Sequence, residues 1–269
     1  MSKGNGIIVE ETDAVFVITI NRPKVNAIDS ATSREMGEAL VYFRDNPNLR
    51  VCIITGNGER IFSAGWDLKS LDSGETQLDN WWEQEDADLG RFAGITEMWN
   101  LNKPVIAALN GLAIGAGFEI ALACDLVIAA EHVEFALPEL PLGIVPDAGA
   151  LQRLPRRIPH NIALEMLYLG RRMSAEEAAR YGLVNKVVEA DTLMAEALEW
   201  AKKMSGVAPL ALQSIKEVLR AIDGESVQDS FLKMRNDDLP VYRAMLQSAD
   251  AQEGVNAFVE KRNPGFKGD

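Results

Sequence analysis

Histidine and cysteine are nearly missing from this chain of 269 residues, which has two of each. That excludes a disulfide framework and leaves little from which to build a zinc site. Cys52 and Cys124 each lie inside an apolar run and read as reduced core residues. His132 and His160 fall in neither a His-Glu-x-x-His metal helix nor a Gly-x-Ser-x-Gly nucleophile elbow, so no metal site is expected and both read as surface or hydrogen-bonded side chains. Positive charge is scarce too: 27 Lys and Arg stand against 40 Asp and Glu, a net −13. Nucleic acid and anionic membrane surfaces, which select clustered cations, are therefore disfavoured as partners. The longest apolar stretch, Pro104 to Ala130, is broken by Asn110, Gly111, Gly115, Gly117, Glu119 and Asp125, short of the ~20 residues of a spanning helix. Met-Ser-Lys-Gly-Asn-Gly at the start lacks the pattern of a signal peptide, and a cytoplasmic location is expected. No Gly-x-x-x-x-Gly-Lys-Ser/Thr phosphate loop occurs. Gly115-Ala116-Gly117 supplies only two glycines of a dinucleotide fingerprint, with Ile120 in place of the third.

What remains is an ordinary globular composition, 47% apolar and 25% charged, enough for one large domain or one with a small appendage. Ala14–Ile20, Val51–Thr55, Pro104–Leu109, Leu126–Ala129 and Leu183–Val188 read as strands. Ser30 is placed to cap a helix bearing Met36, Leu40 and Phe43, and Ser174-Ala175-Glu176-Glu177 is a capping box that Gly182 ends. Helical periodicity dominates from Thr192 to Val259, with a soft boundary near residue 200. These alternations make the chain α/β. Leu71 to Leu89 is an acidic excursion holding Trp81 and Trp82.

One segment stands out chemically. Strand Pro104–Leu109 leads through a glycine-rich turn, Gly111–Gly117, into a short apolar helix expected to begin near Phe118. Backbone N–H groups at such a turn can face a ligand at the positive end of the helix. Glu119 follows among apolar neighbours, and Glu139 has an equally apolar setting in Phe135–Leu142. Desolvation and mutual repulsion raise the pKa of such carboxyls toward the range useful for acid/base work. From spacing alone, a helix-dipole role for Glu119 and a solvated-turn role for Glu139 stay open.

Four segments in order, Phe62–Leu68, Asn110–Asp125, Phe135–Glu139 and Phe258–Arg262, together resemble the enoyl-CoA hydratase/isomerase (crotonase) superfamily from about residue 7 to the end. The resemblance implies a ββα spiral over residues 1–200 that binds acyl-CoA. A helical region, 201–269, would then assemble homotrimers or dimers of trimers. It implies Glu119 and Glu139 as catalytic carboxylates sharing one water, and the N–H groups of Ala64 and Ala116 as an oxyanion hole. Ala116 stands where the family usually has glycine. Substrate contacts would fall to Lys24, Ala27, Gly65, Trp66, Asp67, Leu68, Leu112, Gly115, Pro138 and Lys261. Arg22 and Lys267 are further candidates for the CoA anion. The implied reaction is reversible syn addition of water to a 2-enoyl-CoA, with no cofactor beyond the CoA of the substrate.

Gly65–Lys69, Gly143–Asp147 and Gly170–Met173 resemble the carnitinyl-CoA dehydratase branch, which would dehydrate instead. A quaternary ammonium would then meet Trp66, Trp81, Trp82 or Trp99 and Asp147, although Trp81 and Trp82 would equally serve to cover the acyl pocket. The same superfamily also includes Δ3-Δ2 isomerases, which need only one base, and the resemblance is compatible too with a non-catalytic acyl-CoA-binding protein.

Overall fold

The computed structural model describes residues 6–69 and 86–269. In chain order its helices and strands are β1 (Ile7–Thr12), β2 (Val15–Ile20), α1 (Ser30–Asp45), β3 (Val51–Gly56), β4 (Ile61–Ser63), β5 (Val105–Leu109), β6 (Leu112–Ile114), α2 (Ala116–Ala123), β7 (Leu126–Ala130), β8 (Glu134–Ala136), α3 (Ala150–Arg157), α4 (His160–Leu169), β9 (Met173–Ser174), α5 (Ala175–Arg180), β10 (Lys186–Val188), α6 (Leu193–Ser205), α7 (Pro209–Ala221), α8 (Val227–Asn236), α9 (Pro240–Gln247) and α10 (Ala249–Glu260), with short 3₁₀ turns between.

Two sheets result. The larger has the order β1-β2-β3-β5-β7-β10 and the smaller β4-β6-β8-β9. Only β1 with β2 and β8 with β9 pair antiparallel; every other neighbour is parallel. Each pass of the chain lays one strand in the large sheet and the next in the small one (β3 then β4, β5 then β6, β7 then β8). This repeated ββα winding is the spiral that the resemblance implied.

The near-continuous apolar runs are explained by burial on both faces. Along β2, Phe16, Ile18 and Ile20 face the main core, where Phe16 stacks on Phe43 of α1 with centroids 5.7 Å apart. Val15 and Val17 face the other way and join Leu193, Ala197 and Ala201 of α6 in a second core. Cys52 and Cys124 are buried free thiols.

Two local expectations shift. The carboxylate that caps α1 is Asp29, accepting from Thr32 N at 2.9 Å, so the cap lies one residue before Ser30. The helix after the glycine-rich turn begins at Ala116 rather than near Phe118, because Leu112–Ile114 uses that turn as a strand. Ser174 does cap α5, accepting from Glu177 N. No described helix is long and apolar enough to cross a membrane. Trp81 and Trp82 lie outside the described residues.

Candidate active site

Parallel pairing decides where the site forms. Strands β4, β6 and β8 run the same way, so their carboxyl ends open at one edge, the edge at which α/β sheets place ligands. Ser63-Ala64-Gly65-Trp66 leaves β4, Gly115-Ala116 leaves β6 and Pro138-Glu139 follows β8. Register aligns them: Ile114 sits opposite Ala136, and Gly115 N donates to Ala136 O at 2.9 Å.

Glycine is required where these segments touch. Gly115 caps α2 with φ +56°, and a methyl group there would stand 2.7 Å from Glu139 Oε1. Gly65, at φ +80°, leaves room for Ala116 N, which an added Cβ would approach to 2.6 Å. The left-handed step thus falls on Gly115, and Ala116 takes ordinary helical backbone with its N–H at the start of α2. This removes the steric objection to alanine at that position. Ser63 holds the crossing from within: its buried hydroxyl donates to Asn26 O at 2.7 Å and accepts from Gly65 N at 3.0 Å.

The first expected oxyanion donor needs correction. Ala64 N donates to Val25 O at 3.0 Å, so that N–H belongs to the fold. The next residue but one is better oriented. Trp66 forms a parallel bridge with Ile28, in which Ile28 N donates to Gly65 O and Asp67 N to Ile28 O. In such a bridge the central residue's own N–H turns to the opposite edge, and Trp66 N–H therefore faces away from Ile28.

The two glutamates lie on one cleft of about 410 Å³. Glu119, on the first turn of α2, is 2% exposed, and its Oε1 accepts from Ala150 N at the start of α3, at 2.8 Å. Burial pushes its carboxyl up to about 8, against the lowering effect of the Ala150 bond, while Glu139 and Asp147 add further upward pressure. Glu139, 9% exposed, begins the turn after β8, and its Oε2 is buried without a hydrogen-bond partner among the described residues. Burial raises it to about 7, assisted by Asp147. Around neutral pH the pair therefore holds about one proton, and the more deeply buried Glu119 is the favoured carrier.

Ala27, Ala64, Trp66, Asp67, Leu68, Gly115, Ala116 and Pro138 line the same cleft, as does Asp147. Gly65 lies directly behind it, against Ala116. Leu112, Lys24 and Lys261 do not line it. Leu112 opens β6 at the end away from the cleft, Lys24 is exposed beside the lining residue Val25, and Lys261 is exposed after α10. Lys267 is also exposed, on the tail that Asp250 holds by accepting from Lys267 N at 2.7 Å. Arg22 is committed internally: it pairs with Asp29 at 2.7 Å and Asp67 at 3.2 Å and donates to Ala27 O. It thereby braces two cleft-lining segments. Of the tryptophans, Trp66 lines the cleft and stacks on Phe92 at 4.8 Å, whereas Trp99 borders a separate groove against α7. His132 Nε2–H donates to the carbonyl oxygens of Glu59 and Asn110, a structural role.

The model of the enoyl-CoA hydratase/isomerase family matches residues 10–269. The chain belongs to that family. It is 52% identical to the carnitinyl-CoA dehydratase of Proteus mirabilis (strain HI4320) over 95% of both chains. The carnitinyl-CoA dehydratase of Salmonella heidelberg (strain SL476) is equally similar, over 94% of this chain and 95% of that one. Among solved structures, the enoyl-CoA hydratase of Mycobacterium tuberculosis H37Rv superposes with a TM-score of 0.87 at 36% identity, covering 99% of this chain and all of that one. This chain is thus an enzyme of the hydratase/isomerase family, a hydro-lyase by kinship. The cleft is also lined by residues outside the expected set, notably Lys69, Ile114, Leu142 and Val145. The signal available for the last two was apolar character in a Pro/Gly loop, Pro141–Ala148, too short to fold on itself. Leu142 and Val145 remain 55% and 46% exposed, giving the cleft an open apolar wall.

Proposed function

We propose that this enzyme interconverts a 3-hydroxyacyl-CoA and its 2-enoyl-CoA by syn elimination or addition of water, and that carnitinyl-CoA is the hydroxy substrate. The observation that carries the reaction is the pairing of Glu119 and Glu139 in one cleft with raised, offset proton affinities. In elimination, the carboxylate of Glu139 takes the proton from C2, and the electrons of that C–H bond pass into the thioester as an enolate. Its oxygen accepts from the N–H of Ala116, and the orientation of Trp66 makes its N–H the second donor; each such donor is worth about 3–4 kcal/mol by analogy with other oxyanion holes. The enolate then expels the C3 hydroxyl, which leaves as water with the proton of Glu119. Addition runs the same steps backward. The chemistry is redox-neutral and asks for no cofactor beyond the CoA of the substrate. An isomerase would need only one of the two carboxyls, and a binding protein neither.

The substrate assignment is supported by the 52% identical dehydratases, against 36% for the solved enoyl-CoA hydratase. General enoyl-CoA hydration is the second reading. Purified enzyme mixed separately with crotonobetainyl-CoA and crotonoyl-CoA, followed by the conjugated enoyl-thioester absorbance, tells them apart. We expect loss with the first; loss with crotonoyl-CoA alone would return the general hydratase. Glu139→Gln should leave CoA-ester affinity largely intact and depress turnover by ~10²-fold or more, and full activity would remove Glu139 from the mechanism.

A further inference from the structure

We infer that Asp147 selects for positive charge on the acyl group, its carboxylate serving as counter-ion to a quaternary ammonium carried beyond the reacting carbons. This rests on the carnitinyl-CoA reading of the same cleft and assigns it a residue.

Three features support the assignment. First, the cleft is acidic where the acyl group must lie: Glu119, Glu139 and Asp147 line it together, and Lys69 is its only lining cation among the described residues. Asp67 is a fourth carboxylate on the lining. Second, Asp147 differs from the two glutamates in its surroundings. It stands exposed on the wall, between buried Pro146 and Ala148, and so is not desolvated as they are. Yet it is near enough for its field to raise both of their pKa values. Third, Glu139 Oε2 is buried and without a hydrogen-bond partner among the described residues, which marks the reacting end of the cleft within reach of that same field.

A third carboxylate there serves a neutral acyl chain poorly. It adds nothing to the burial of methyl groups, and it opposes the anionic enolate that forms alongside. A trimethylammonium group reverses both effects. Its charge is delocalised over methyl groups that suit the apolar wall of Leu142 and Val145, and it offsets the field that Asp147 imposes on the developing enolate. Because Asp147 is exposed, the attraction is partly screened and sensitive to salt.

The test separates charge from shape. Crotonobetainyl-CoA is compared with its neutral isostere, 5,5-dimethylhex-2-enoyl-CoA, in which carbon replaces the ammonium nitrogen. The quantity read is the ratio of kcat/KM for the cationic over the neutral substrate, which is independent of the fraction of protein folded and of any effect on the glutamates common to both substrates. We expect Asp147→Asn to lower this ratio roughly 10-fold, Asp147→Glu to restore most of it, and the parent's ratio to shrink as ionic strength rises from about 0.02 to about 0.5 M. A ratio unchanged in Asp147→Asn, with both substrates slowed equally or not at all, overturns the role of Asp147 and leaves the carnitinyl-CoA reading standing. A parent enzyme idle on crotonobetainyl-CoA but active on the isostere overturns both.

Discussion

At the scale of single residues, the functional contrast is between two glutamates that burial has pushed up to different extents. Elimination needs Glu139 ionised and Glu119 protonated. Below about 7 Glu139 takes up a proton, and above about 8 Glu119 loses one, so kcat/KM should be bell-shaped with its maximum between the limbs. A profile flat from about pH 5 to 10 would contradict the one-proton pair. Gly115 belongs to the same machinery through its absent side chain. In Gly115→Ala the new methyl meets Glu139 Oε1 at a left-handed φ, and kcat should fall by roughly 10-fold or more with CoA-ester binding largely retained. Both glutamates were legible as candidates, because apolar neighbours on either side of a carboxylate predict desolvation, but only the family resemblance singled them out as a pair. The donor N–H groups were not. Whether Ala64 or Trp66 points at the substrate depends on Val25 and Ile28, far upstream, and on which edge of a bridge each peptide occupies.

The elements were legible in proportion to their length. Strands β2, β3, β5 and β7 are five or six residues of apolar, mostly β-branched or alanine sequence, and each stands within a residue or so of its expected span. The strands β4, β6 and β8 have three residues each, too few for a period to show, yet it is their shared direction that assembles the cleft. Long-range contacts also secure the helices. Lys103 is buried beneath the end of α1, where its ammonium donates to Phe43 O at 2.8 Å and Asn46 O at 2.6 Å. Those carbonyls lack partners within the helix, and the cation complements the negative end of its dipole. Lys103→Met keeps most of the stem but loses both bonds, and should cost about 2–3 kcal/mol in denaturant unfolding. A loss below ~0.5 kcal/mol would show that the cap does not hold α1.

Across the whole molecule, the carboxyl proposed to serve catalysis weighs against folding near neutral pH and above. Glu119 has a folded pKa near 8 against an unfolded 4.5, so the folded state binds its proton more tightly. Its stabilising contribution is full below 4.5 and is lost as pH rises through about 8. Glu119→Gln keeps an oxygen to accept from Ala150 N and cannot ionise. Its melting temperature should match the parent's near pH 5 and exceed it by roughly 10 °C or more at about pH 9, equivalent to about 5 kcal/mol. Equal melting temperatures at both pH values would mean that Glu119 ionises freely in the folded enzyme.

Composition and pattern by themselves determined the α/β class, the lack of a disulfide framework, the buried strands and the apolar settings of Glu119 and Glu139, since each depends on a residue and its near neighbours. The tertiary structure decided that Arg22 pairs with Asp29 and Asp67, that Trp99 faces another groove, that Gly115 rather than Ala116 carries the left-handed turn, and that Asp147 shares a wall with both glutamates. Those outcomes depend on which distant segments pack together. Parallel strands joined by crossovers bring residues from three separate turns of the spiral to one edge, and no local signal encodes that meeting.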